Sequence, residues 1–320
     1  MTPPVLTPVL APVLTRADMA SNALTPEYAA APRLADVLPP VRERGRFGTY
    51  FRRYPTVVVG GALLCVMLFI AIFAPLLFTV DPTALAPSKR TRPPSELYWF
   101  GTDMLGRDIY SRVLYGSRVS LLVGFSVAAV AAVIGTFIGL VAGFIRSADT
   151  VIMRVMDGLM SIPPILLAIA LMALTRGSVG NVIIAISVAE FPRVSRLVRG
   201  VVLSLREQPY VEAAIASGTR VPMIIWKHIL PNTLAPLMVQ ATFICASAMI
   251  TESILSFIGA GTPPIIPSWG NIMAEGRALW QVKPYIVFFP AAFLSVTVLA
   301  VNLLGDGLRD ALDPRLAKRL

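Results

Sequence analysis

Apolar stretches long enough to cross a bilayer constrain this chain more than any other feature. Val57–Phe78, Val119–Phe144, Thr233–Phe257 and Ile286–Leu304 are almost free of charge over roughly the 20 residues that a spanning helix needs. Lipid offers no partner to backbone N–H and C=O groups, so such segments must satisfy them internally, as helices. Two further runs, Ile162–Leu174 and Asn181–Phe191, are shorter and must borrow polar neighbours: Val151–Met160 before the first and Val194–Leu205 after the second. The expectation is an all-α integral membrane protein with six transmembrane helices. Composition agrees. Of 320 residues, 56% are hydrophobic and only 14% charged, which overrides the two soluble domains this length would otherwise suggest.

The net charge of +10 does not indicate nucleic acid, because the basic residues cluster at the ends of apolar runs, where lipid head groups lie. Their distribution predicts orientation. Arg42, Arg44, Arg46, Arg52 and Arg53 precede the first run, and Arg146 and Arg154 follow the second. Arg193, Arg196, Arg199, Arg206, Arg220 and Lys227 lie between the fourth and fifth, and Arg309, Arg315, Lys318 and Arg319 follow the sixth. With six crossings all four groups share one side, so both termini and the central loop are expected in the cytoplasm. Asp81–Arg118 runs against this rule: it falls outside yet carries Lys89, Arg90, Arg92, Arg107, Arg112 and Arg118, partly offset by Asp81, Glu96, Asp103 and Asp108.

Residues 1–40 are rich in Pro and Ala, a composition that blocks helix and sheet and predicts a disordered tail. It lacks the basic start and compact apolar core of a secretory signal. Residues 41–56 form a basic, aromatic juxtamembrane segment, 57–316 the membrane domain and 317–320 a short tail. Within the second run Gly135, Gly139 and Gly143 recur every four residues; on a helix they share one face and admit a neighbouring backbone. Pro163-Pro164 and Pro192 interrupt the two short runs. Pro-broken spans suit a translocation pathway, where irregular backbone lines a cavity; two ordinary kinked helices are the other reading.

One long interval in the second half is neither an apolar run nor a turn: Val211–Asn232. Val211–Ser217 is a good helix former with Glu212 in its first turn, where the helix dipole favours negative charge. Gly218 supplies a stop, Pro222 bars an uninterrupted helix, and Pro231 suits the opening of the next one. A short helix on the membrane surface follows, either a plain connection or a surface shaped to be pressed on. Glu252, in the fifth run, is an intramembrane acid and hence a candidate pathway or gate residue with Pro163 and Pro192; the alternative is a helix-end hydrogen bond. Asp157, three residues after Arg154, is expected to form a local helical pair.

Several chemistries are excluded. Cys65 and Cys245 lie inside apolar runs without metal spacing, and the sole histidine, His228, can build neither a metal cluster nor a triad. None of Lys89, Lys227, Lys283 and Lys318 is preceded by Gly and followed by Ser or Thr, so there is no phosphate-binding P-loop. The chain is expected to be no enzyme, and any uphill transport must draw on another chain or an ion gradient.

Glu212-Ala213-Ala214, Gly218 and Leu230-Pro231 resemble the EAA loop of ABC importer permeases. Gly101-Thr102-Asp103, Leu105-Gly106-Arg107-Asp108, Ser111-Arg112, Leu203–Gln208 and Asn302–Asp310 with Asp313-Pro314-Arg315 narrow the resemblance to the C-type permease subunit of the dipeptide, oligopeptide and nickel group. It covers residues 45–316. His228 stands where the wider pattern has an aliphatic residue, as is usual in the peptide group. The resemblance implies a type I importer fold in the bacterial inner membrane, paired with a B-type permease, two cytosolic ATPases and an extracytoplasmic binding protein. ATP and Mg would sit on the ATPases, and no cofactor on this chain. It implies ATPase coupling through residues 206–231, by Glu212, Ala213, Ala214, Gly218 and Arg206. Asp103, Arg107, Asp108 and Trp269, on the outer loops, would touch the binding protein. An ion-gradient transporter, the alternative, needs ionisable residues deep in several spans, of which the sequence offers few; a membrane enzyme needs an acid/base or metal constellation at one depth, and none is there. The substrate (dipeptide, oligopeptide, nickel chelate or glutathione) is left open.

Overall fold

The computed structural model of the protein describes residues 54–312. The tail at 1–40, the juxtamembrane basic residues Arg42–Arg53 and the closing residues Arg315, Lys318 and Arg319 lie outside them. Regular structure among the described residues is helical, apart from an isolated bridge between Thr102 and Asp108. The long helices are α1 (Pro55–Phe73), α2 (Ile109–Phe144), α5 (Val179–Arg206), α7 (Val221–Ile258) and α9 (Tyr285–Leu312). Shorter ones are α3 (Arg146–Met160), α4 (Pro164–Ala173), α6 (Pro209–Ala216) and α8 (Trp269–Gly276).

Four helical stretches are long and apolar enough to cross a membrane, and α3 with α4 would make a fifth but for an 86° bend between them. The expected count of six is not reached on this measure, for two physical reasons. Pro163-Pro164 starts a new helix instead of extending α3, since proline at the first turn forgoes only an N–H that would be unbonded anyway. The run at Asn181–Phe191 continues through Pro192 as one helix to Arg206, so α5 carries Glu190, Arg193, Arg196, Arg199 and Arg206 on a single rod. These charges answer to neighbours within the protein: Arg199 donates to Asp149 of α3 at 2.5 and 2.6 Å, and Arg196 to Asp157 at 2.5 Å. The expected Arg154–Asp157 pair is thereby corrected; Asp157 reaches across to α5, which brings a guanidinium closer than its own helix does.

The second helix also begins earlier than its apolar run, at Ile109. Asp108 caps it, accepting from Ser111 N at 2.8 Å and Ser111 Oγ at 2.5 Å. At 36 residues, α2 is about 54 Å long, well beyond an apolar core of about 30 Å. Helix α7 starts at Val221 and passes through a π-helical turn at Ile225–Ile229 just before Pro231. Pro231 stands in the first turn of the α-helical stretch Leu230–Ile258 that follows the π turn, where its missing N–H is tolerated, as its sequence position predicts.

Two contacts set the arrangement of these rods. Gly135, Gly139 and Gly143 of α2 face α5 of the same chain. A Cβ there would lie 2.9 Å from the Phe191 carbonyl, 2.6 Å from the Ser195 carbonyl and 2.7 Å from Val202 respectively. Val194, Val198 and Val202 are fully buried in the space the glycines leave. Helix α1 packs on α9 in the same manner: a Cβ on Gly60 would lie 2.6 Å from Leu304 N, and one on Gly307 2.7 Å from Val57 N. The shared core runs along α2, α5 and α7 through Val123, Val127, Ala131, Ile186, Ile244 and Met249.

Candidate functional site

The loop between α5 and α7 is an exposed element with one deep anchor. Pro209 starts α6 at a helix-compatible φ, and the helix lasts eight residues. It ends in a Schellman motif: Gly218 is left-handed (φ +76°), its N–H reaches the Ile215 carbonyl at 3.0 Å, and Thr219 N–H reaches the Ala214 carbonyl at 3.1 Å. Only glycine takes that backbone without strain. Val211 is fully buried in the core, whereas Glu212 and Ala213 are exposed and Ala214 half-buried. Around Glu212 the loop also exposes Tyr210, Ile215, Val221, Met223 and, at 72%, Trp226. The outward face of the loop is therefore largely apolar, with a carboxylate among the apolar groups.

Arg206 is committed elsewhere. Its Nη1 donates to the Gly143 and Phe144 carbonyls at 3.0 and 3.4 Å, and its guanidinium lies 5.4 Å from the Phe144 ring centroid. It caps the C-terminal end of α2, where unpaired carbonyls and the helix dipole both favour a cation. The residues it touches belong to this chain, so it ties the foot of α5 to the foot of α2.

At the other end of the helices, residues 81–108 fold over α2 together with α8. Asp103 is fully buried and accepts from Leu105 N (2.8 Å), Arg107 N (2.9 Å), Arg107 Nε (2.7 Å) and Arg112 Nη1 (2.6 Å). Glu275 of α8 completes the cluster, accepting from Arg107 Nη2 at 2.5 Å and from Arg112 Nη1 and Nη2. Two acids and two arginines leave it neutral. Beneath it Trp269 is buried, donating from Nε1 to the Val113 carbonyl at 3.0 Å, and Phe100 stacks on Phe289 with centroids 3.9 Å apart.

This geometry corrects the expectation for the outer loops. Asp103, Arg107 and Trp269 point inward and Asp108 is spent as a helix cap, so these four side chains build the cap and offer little to a docking protein. The same pairing accounts for part of the basic excess of Asp81–Arg118, which had conflicted with the charge rule. Arg107 and Arg112 are neutralised in place, Arg118 donates to the Ala71 and Ile72 carbonyls, and Arg90 donates to the Met104 carbonyl.

The pathway candidates separate. Glu252 is fully buried; Ser256 Oγ donates to it at 2.8 Å and also accepts from Thr262 N at 3.1 Å. Asn271 Nδ2 continues the network to Thr262 Oγ1 at 2.9 Å. Glu252 thus fastens the loop after α7, and a gating role finds no geometric support. Pro163 precedes α4 at the surface and Pro192 is buried in α5. A cavity of about 430 Å³ instead opens between α4, α5, α7 and α9, walled by Pro164, Glu190, Arg193, Ser247, Ile250 and Asn302. Glu190 escaped the sequence reading because it closes a short apolar run; Glu275 did because its arginines lie more than 160 residues away. An acid followed three residues later by Arg193 was the available signal for Glu190.

Comparison with known proteins completes the assignment. Residues 131–318 match the family described as binding-protein-dependent transport system inner membrane component. Residues 45–94 match the N-terminal transmembrane domain of oligopeptide transport permease C. The probable peptide ABC transporter permease protein y4tQ of Sinorhizobium fredii is 54% identical over 268 residues, covering 84% of this chain and 92% of that one. The dipeptide transport system permease protein DppC of Alkalihalophilus pseudofirmus is 44% identical over 260 residues, covering 81% and 86%. Among solved structures, an inward facing MetNI methionine ABC transporter shares the fold at a TM-score of 0.52 and 20% identity, over 63% of this chain and 96% of that one. The helices, the loop motif and these relatives make the chain a multi-pass membrane subunit that is not itself an enzyme. It belongs to the binding-protein-dependent inner-membrane permeases of ABC importers, in the peptide (C-type) group.

Proposed function

We propose that the chain forms half of the translocation pathway of an ATP-driven importer of dipeptides or oligopeptides, beside a second, B-type permease. Helix α6 seats in a groove of a cytosolic ATPase, so the loop and both termini face the cytoplasm. A binding protein delivers solute at the opposite end, and ATP and Mg are held by the ATPases alone. The carrying observation is the exposed, largely apolar face of α6 and its flank, held to the core by buried Val211. An apolar face of this kind, rimmed by charge, is characteristic of a surface that another protein covers. Joined rigidly to α5 and α7, the short helix converts closure of an ATPase dimer into rocking of those rods between two states. Nickel chelates or glutathione would pass by the same machinery; peptides are preferred because the two sequence relatives above are named for peptide and dipeptide transport.

The test is purification of tagged chain in mild detergent with Glu212→Lys beside wild type. Wild type should bring a second permease and P-loop ATPases, and the variant should lose the ATPases. A chain that purifies alone, unaffected by the substitution, would refute the coupling reading.

A further inference from the structure

The cavity between α4, α5, α7 and α9 holds a charged pair in an unusual state. Glu190 is only 2% exposed, a position in which a carboxylate is costly unless well paired. Yet its partners stand off. Arg193 Nη1 is 3.3 and 3.5 Å from the two carboxylate oxygens and Ser247 Oγ is 3.3 Å from one. Charge-assisted bonds normally close to about 2.7–2.9 Å, and a carboxylate has acceptor sites for about four donors. Arg193 leaves 44% of its side chain exposed and bonds to Glu190 alone among the described residues. Asn302 of α9 adds an amide to the same wall. The space, about 430 Å³, is of the size that small-molecule sites take, about 300–1,000 Å³.

We propose that Glu190 and Arg193, with Ser247 and Asn302 beside them, form a way-station for zwitterionic solutes. Glu190 accepts hydrogen bonds from a free α-ammonium group and Arg193 donates to a carboxylate. The proposal rests on the peptide-import reading above and deepens it to named residues. The chemistry selects the class. A zwitterion entering the cavity exchanges one loose internal ion pair for two external ones, and no net charge leaves water. A bare divalent cation would meet the Arg193 charge, and a simple anion the Glu190 charge. The long internal distances make the exchange easy in both directions, as suits a station that must release what it binds.

The test uses the full complex, with partner permease, ATPases and binding protein, in proteoliposomes, following ATP-driven uptake of labelled L-alanyl-L-alanine. Glu190→Gln should lower uptake by at least ~10-fold while binding-protein-stimulated ATP hydrolysis stays within about twofold of wild type. Glu190→Asp should recover most of the uptake. Arg193→Gln, at the exposed member, should reproduce the selective fall and carries the test if the Glu190 variants do not assemble. Uptake unchanged in the variants overturns the proposal. So does a parallel fall of uptake and ATP hydrolysis, which marks a role in the fold or in coupling. If the wild-type complex takes up no dipeptide, the peptide-import reading fails and this inference with it; wild-type uptake with indifferent variants sinks this inference alone.

Discussion

The two ends of the helix array solve opposite problems. At the end formed by residues 81–108 and α8, Asp103, Arg107, Arg112 and Glu275 are gathered into one neutral cluster, and the large rings of Phe100, Trp269 and Phe289 lie against one another or against α2. At the other end, α6 and its flank leave Tyr210, Ile215, Met223 and Trp226 in the open, anchored by buried Val211, Ile224 and Ile229. The first end is knit by a buried ion-pair cluster, although Phe78, Leu97 and Trp99 stay exposed beside it. The second carries no such cluster among the described residues and is held by a few buried aliphatic side chains. Substitutions should accordingly act on folding at one end and on assembly at the other.

The largest effect is expected from Asp103→Asn. It leaves two buried guanidinium groups facing Glu275 alone, and breaking a buried pair in this way costs about 3–5 kcal/mol. A fall in melting temperature in detergent, with less protein recovered, would show it; Glu275→Gln should fall less, since that side chain is 23% exposed. Next comes the α2–α5 seam between the two ends. Gly139→Ala places a methyl group 2.6 Å from the Ser195 carbonyl, and overpacking of this kind costs about 1–3 kcal/mol. Gly200→Ala, with nothing within 4 Å of the new Cβ, should be neutral or stabilising by up to about 1 kcal/mol. Equal destabilisation by both would deny that the glycine face is a packing device.

At the exposed end the effects on folding should shrink. Gly218→Ala forces an L-residue into left-handed backbone (φ +76°) and should cost about 1–2 kcal/mol. Because only the Schellman turn is strained, hydrogen exchange should quicken in 209–220 with the rest of the chain unchanged. The smallest change in stability belongs to Ile215→Ser, within about 0.5 kcal/mol, while retention of the ATPases on the purified chain should drop. A large loss of stability there would erase the contrast between the ends.

Much of this architecture was legible in the sequence because apolarity along a helix is a local signal. The runs at Val57–Phe78, Thr233–Phe257 and Ile286–Leu304 each fall within or closely on a helix, and Gly218 marked the end of α6. The misreadings share one cause, which is interaction across distance. The start of α2 at Ile109 depends on a cap in polar sequence, and α5 keeps its arginines because Asp149 and Asp157 come to meet them from α3. Asp103, Arg107 and Trp269 look like outward loop residues until Glu275 and the Val113 carbonyl are brought beside them by the fold. Glu190 gains its setting only when α7 and α9 close the far wall of its cavity.

The seam of Gly135, Gly139 and Gly143 against Val194, Val198 and Val202 also has a mechanical meaning. Two rods keyed at three successive turns have no free travel along each other, and Arg206 pins their feet together as well. Under the coupling proposed above, a push on α6 would not stop at the foot of α5. It would swing a single stiff lever about 54 Å long, whose far tip is the Asp108 cap beneath the ion-paired lid.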